Sequence, residues 1–165
     1  GACGARPPLA THKREPIPVT TYRFLKEKYA ESALRGSRGR GRWRRQGTPM
    51  VYCSGESATA LLETLVHAER ADLIEEPYVL FEVAIDPKAH LLELPEEELP
   101  EDWQAWPWPE STQELGRYWH AENASLVLEV PSAVVPRQSN YLLNAAHPDF
   151  EEAKVQGPED FAIDA

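Results

Sequence analysis

Short runs of β-branched and aromatic residues recur along this chain, each bounded by proline, glycine or a charged cluster, and they restrict it to an architecture built on a sheet. Val19-Thr20-Thr21-Tyr22-Arg23-Phe24, Pro49-Met50-Val51-Tyr52-Cys53, Tyr78–Ile85 and Leu126–Val130 read as strands, with shorter pieces at Leu91–Leu94 and Tyr141–Leu143. A helix is predicted over about 54–70, with Ser54 as N-cap and Ala58, Leu61, Leu62, Leu65 and Val66 at helical spacing on one apolar face. Glu63 falls at the border of that face, a position from which it can look into a cleft. A capping box, Ser111-Thr112-Gln113-Glu114, opens a second helix that runs to about His120. Between them, residues 95–110 are broken by Pro95, Pro100, Pro107 and Pro109 and carry Trp103, Trp106 and Trp108. Those tryptophans read as packing anchors, with a lid or a partner surface as the alternative. Strands outnumber helices and no internal repeat is found, so the expected class is α+β, with mixed β-sheets and flanking helices.

A chain of 165 residues suits one domain, expected over 19–165 after an extended or disordered lead-in at 1–18. No stretch approaches the roughly 18 consecutive apolar residues of a membrane span, and the expected compartment is the cytoplasm. The two cysteines, Cys3 and Cys53, and the five histidines show no metal-ligand spacing, so no metal site is expected. Charge is unevenly spread: residues 1–50 hold 12 Lys and Arg against three acids, whereas the rest holds 5 against 24. A basic segment inside an acidic protein favours one anionic ligand at a defined place over general adhesion to nucleic acid.

Arg23 lies on a strand, and Arg35, Arg38, Arg40, Arg42, Arg44 and Arg45 cluster in and around a glycine-rich stretch. Guanidinium forks and glycine-exposed backbone amides suit a phosphate or pyrophosphate. A solvated basic loop, or a single-strand RNA contact with Trp43 as stacking platform, accounts for the same residues. Glu63 is a lone carboxylate on a helix, most often a surface residue. Held in a cleft, it can stabilise the oxocarbenium-like charge that develops when an N-glycosidic bond breaks.

Taken in order, Tyr22-Arg23, Gly41-Arg42-Trp43, Gly47-Thr48-Pro49, Val51-Tyr52 and Leu62-Glu63 resemble the successive blocks of the RES-domain family. So do Leu99-Pro100 with Trp103, Thr112-Gln113 with Gly116, Val130–Pro136, Asn140, Leu142-Leu143-Asn144 and His147–Phe150. The resemblance covers roughly residues 19–155, and the Arg, Glu and Ser for which the family is named match Arg42, Glu63 and Ser132. It implies an ADP-ribosyltransferase-like fold around a cleft and a toxin of a bacterial toxin-antitoxin pair that consumes NAD+ as substrate, with no resident cofactor. By the same resemblance Arg23 and Arg42 would hold the pyrophosphate, Tyr22 and Tyr52 the nicotinamide end, and Glu63 the ribosyl cation, with Ser132 and Asn144 hydrogen-bonding the substrate. It implies a cognate antitoxin of the Xre helix-turn-helix type that blocks the site and carries any DNA binding. The acceptor stays open: inorganic phosphate as co-substrate, water, or a protein side chain. A non-catalytic RNA- or anion-binding module is a further alternative. Arg40-Gly41-Arg42-Trp43-Arg44 departs from the family pattern, which has a second Gly before the Arg-Trp pair and an Asn after it.

Overall fold

The computed structural model describes residues 12–13, 19–36, 39–66, 76–86 and 91–161. Among them, eight strands form one mixed sheet: β1 (His12–Lys13), β2 (Val19–Lys26), β3 (Met50–Ser54), β4 (Tyr78–Ile85), β5 (Leu91–Glu93), β6 (Val127–Pro131), β7 (Ser139–Asn144) and β8 (Ala153–Phe161). Their spatial order is β1-β5-β6-β7-β3-β2-β4-β8, antiparallel except for the β5–β6 pair. Among the same residues two α-helices, α1 (Ser57–Leu65) and α2 (Glu110–Ala121), complete the α+β class that the sequence predicts.

One junction in the sheet differs from the rest. β2 pairs with β4 at every residue from Val19 to Lys26, yet meets β3 only at Tyr22 opposite Ser54. Beyond that point the two strands part, and the Arg23 guanidinium donates to the Tyr52 carbonyl at 2.9 Å. A side chain thereby supplies the hydrogen bond that an adjacent strand ordinarily gives.

Alternation along the strands sends Met50, Leu128, Val130 and Leu142 to one face, where they pack with Trp43, Leu115 and Trp119. Val51, Cys53, Val127, Tyr141 and Leu143 go to the other and pack with Val83 and Ile85. Helix α2 lies against the first cluster and against the backbone of the glycine-rich stretch. A Cβ built on Gly116 would sit 1.7 Å from the Trp43 carbonyl oxygen, so only glycine permits this approach. Beside it, Thr112 Oγ1 donates to the Arg42 carbonyl at 2.6 Å and Gln113 Nε2 to the Gly41 carbonyl at 3.0 Å.

Several sequence expectations are corrected. Ser54 is not a helix cap but the buried last residue of β3; α1 starts at Ser57 with Glu56 as N-cap, and the expected continuation over 67–70 lies outside the described residues. The expected apolar face of α1 meets the core only in part: Leu61 packs against the Phe24–Tyr78 cluster, but Leu62 is 42% and Val66 57% exposed, while Thr59 and Ala60 are buried. The helix is turned so that Glu63 points inward, where hydrogen-bond donors await it. Helix α2 begins at Glu110, and Ser111, instead of capping it, donates to Asp102 Oδ1 at 2.5 Å. His12 and Lys13, in the expected lead-in, form the edge strand beside β5. Strand β8 has no signature in its polar sequence because its residues from Val155 to Phe161 are exposed and it joins β4 through backbone bonds.

Gly116→Ala is expected to lower unfolding free energy by about 3 kcal/mol through backbone overpacking, read by urea denaturation; an unchanged midpoint would refute the close approach.

Candidate active site

A cavity of about 260 Å³ opens where β2 and β3 part, its wall formed chiefly by Tyr22, Arg23, Arg42, Tyr52, Glu63 and Trp108. The glycine-rich stretch reaches it as a tight turn, with Gly41 and Arg44 exchanging backbone hydrogen bonds at 3.0 and 3.3 Å. α2 holds the Gly41 and Arg42 carbonyls from behind. From the sheet side, the Trp43 amide donates to the Tyr52 hydroxyl at 2.9 Å. Tyr52 therefore shapes the turn as well as lining the cavity, and burial pushes its phenol well above the usual range.

The arginines divide by role. Arg44, a departure from the family pattern, is buried: it donates to the carbonyls of Gly39 and Met50, and its guanidinium lies over the Tyr52 ring at 5.0 Å. It acts as a pin under the turn. Arg42 donates from one nitrogen to the carbonyls of Trp103 at 2.6 Å and Ala105 at 2.9 Å. That bond fixes the proline-broken segment beside the cavity, so that Trp108 joins the wall while Trp106, 62% exposed, stands edge-on to it. Burial lowers the Arg42 pKa and the nearby Glu63 carboxylate opposes that shift. Arg23 is desolvated too, and its buried Nε has no hydrogen-bond partner among the described residues. The Arg23 side chain lines the cavity with a buried donor left unsatisfied, which is uncommon in a folded protein.

Glu63 enters from α1. Its Oε1 accepts two hydrogen bonds, from Ser132 Oγ at 2.5 Å and from Asn140 Nδ2 at 2.8 Å. Ser132 is fully buried, and its oxygen accepts the amides of Val134 at 3.2 Å and Val135 at 3.0 Å. With its lone pairs so used, its single proton goes to Glu63. Both bonds fall on Oε1, which leaves Oε2 as the acceptor available to the cavity.

Of the residues singled out in the sequence, Tyr22, Arg23, Arg42, Tyr52 and Glu63 meet at this cavity, and Ser132 reaches it through Glu63. Asn144 does not join them. It is buried at the far end of β7, donating to Asn123 Oδ1 at 3.0 Å and accepting the Ala146 amide at 2.9 Å, which ties down the adjoining turns. Sequence reasoning gave no role to Asn140 and misread Ser54, because their shared position across β3 and β7 is a matter of register. Cys53 lines the cavity, and burial raises its thiol pKa, which disfavours the thiolate. No cluster of metal-ligating side chains and no helix long and apolar enough to cross a membrane occurs among the described residues.

This geometry defines a class: an α+β domain that sets a fixed carboxylate and two arginines around a cavity walled by aromatic rings. Residues 20–164 match the RES domain, and the chain belongs to the RES-domain family. It is 33% identical over 148 residues to "Toxin Res" of Yersinia enterocolitica, covering 87% of this chain and 95% of that one. It is also 33% identical over 117 residues to the "Prs ADP-ribosylating toxin" of a Sphingobium species, covering 70% and 73% of the two chains. The fold matches the toxin-antitoxin crystal structure of M. tuberculosis MbcT-MbcA at a TM-score of 0.72 and 16% identity, over 92% of this chain and 87% of that one.

Tyr52→Phe removes the acceptor of a buried backbone amide, and we expect a loss of about 1–3 kcal/mol together with faster hydrogen exchange at the Trp43 amide. Wild-type exchange at Trp43 would show that the hydroxyl does not hold the turn.

Proposed function

We propose that this chain is the toxin of a toxin-antitoxin pair and that it breaks the nicotinamide–ribose bond of NAD+. The observation that carries the reading is Glu63, anchored through Oε1 with Oε2 left to the cavity. As the bond to nicotinamide lengthens, its electron pair leaves with the ring nitrogen and positive charge spreads over the ribose C1 and ring oxygen. A carboxylate already held in place stabilises that charge without reorganising during the reaction. Arg23, with an unpaired donor, and Arg42 offer cationic forks to the pyrophosphate. Tyr22 and Tyr52 provide ring faces for the nicotinamide end. The cavity is small for a whole dinucleotide, below the roughly 300 Å³ at which ligand pockets begin. It suits the nicotinamide-ribose half, the remainder running out along the Arg40–Arg44 turn.

Bond cleavage is completed when an acceptor oxygen attacks the ribose carbon. Inorganic phosphate would give ADP-ribose-1''-phosphate and water would give ADP-ribose; no other cofactor enters the scheme. A protein acceptor is the second reading, favoured by the name of the Sphingobium relative. An antitoxin, of helix-turn-helix type by the family resemblance, would restrain the enzyme by covering the cavity, in keeping with the toxin-antitoxin complex of the similar fold.

Incubation of the purified chain, free of antitoxin, with NAD+ in the presence and absence of phosphate is expected to release nicotinamide, with the second product resolved by mass. Glu63→Gln keeps the shape but loses the charge and should lower the rate by about 10²-fold or more with little change in affinity. Intact NAD+ in every tube, joined to a mass gain on a protein in cell extract, would replace breakdown by protein modification. Intact NAD+ with no mass gain on any protein would overturn the enzymatic reading and leave a non-catalytic binding module in its place.

A further inference from the structure

We infer that Ser54 and Asn140 are positioning residues for Glu63, forming a one-way hydrogen-bond chain that fixes the orientation of its carboxylate, one oxygen bonded to the protein and the other turned to the substrate. The inference rests on the proposed role of Glu63. Ser54 and Asn140 are direct cross-strand partners on β3 and β7, and both are buried. Ser54 Oγ donates to Asn140 Oδ1 at 2.8 Å, and Asn140 Nδ2 donates to Glu63 Oε1 at 2.8 Å.

The direction follows from chemistry. An ionised carboxylate has no proton to give, so the amide nitrogen must face Glu63 and the amide oxygen must face Ser54. The serine hydroxyl then has to donate. Ser132 approaches the same Oε1 with its own proton committed, so among the described residues two donors meet on one oxygen and none on the other. Rotation of the carboxylate would break both bonds at once. Ser54 occupies the one position where β3 is paired with β2 as well as β7, opposite Tyr22 on one side and Asn140 on the other. The origin of the chain is therefore fixed at the junction where the cavity opens, and it does not depend on α1, which carries Glu63.

Ser54→Ala leaves Asn140 Oδ1 as a buried acceptor without its donor, free to turn in search of another. The expected kinetic result is a fall in kcat of about tenfold with KM changed by less than about threefold, most of the loss being recovered in Ser54→Thr, which keeps the hydroxyl. Asn140→Asp keeps the shape and the bond from Ser54 but sets a second carboxylate oxygen against Glu63, and kcat should fall by about 10²-fold. In the ligand-free protein, the Asn140 side-chain amide, assigned by its disappearance in Asn140→Asp, should be protected from hydrogen exchange. Protection should drop at least about tenfold in Ser54→Ala. Equal protection with and without the hydroxyl, or a rise in KM at constant kcat, would overturn the inference. Wild-type protein that leaves NAD+ intact would overturn the proposed reaction instead, and the exchange comparison would still decide whether the chain holds Glu63 in place.

Discussion

The cavity exists because the sheet comes apart between β2 and β3 after a single residue pair, and separating strands leaves polar backbone groups that must be satisfied by something else. Arg23 meets part of that requirement. Its guanidinium bonds the Tyr52 carbonyl across the gap, holding the strands at a side chain's distance and placing a cation in the wall. The same residue thus closes the fold and charges the site. Any hydrophobic substitute would leave the carbonyl without its donor, and a shorter one would let the strands close and remove the space.

A second dependence runs through the Gly41–Arg44 turn. Its carbonyls are held by Thr112 and Gln113 and its Trp43 amide by Tyr52, so neither α2 nor β3 alone would set its shape. Trp43 anchors the turn in the core, and Arg44 props it from within. The charge concentrated in this stretch is therefore not all available to a ligand. Arg44 is consumed by architecture, and Arg42 is partly occupied by the tryptophan segment.

How far the sequence discloses this depends on what kind of information each feature needs. Strands such as Tyr78–Ile85 are legible because side-chain alternation is a local property. The order of the family's blocks identifies the fold and brings Arg23, Arg42, Tyr52 and Glu63 forward as a set, which the cavity then unites. The rotation of α1 is not legible, since apolar periodicity points Leu62 and Val66 inward whereas the donors Ser132 and Asn140, distant in the chain, draw Glu63 there instead. Ser54 and Ser111 look like caps because a serine before a helix is a strong local signal, yet each is claimed by a partner across the structure. Asn144 shares a block with residues near the site, but it lies at the other end of β7, where strand length carries it away from the cavity.

Arg42 grips the tryptophan segment by two main-chain oxygens, those of Trp103 and Ala105, and not by any side chain. These two bonds are therefore indifferent to the side chains at positions 103 and 105, whereas the Trp103 ring and the Asp102 carboxylate hold the segment separately, against the core and against Ser111. Substitutions at its exposed positions, Trp106 among them, would recolour the outer rim of the cavity and leave both of these main-chain bonds in place.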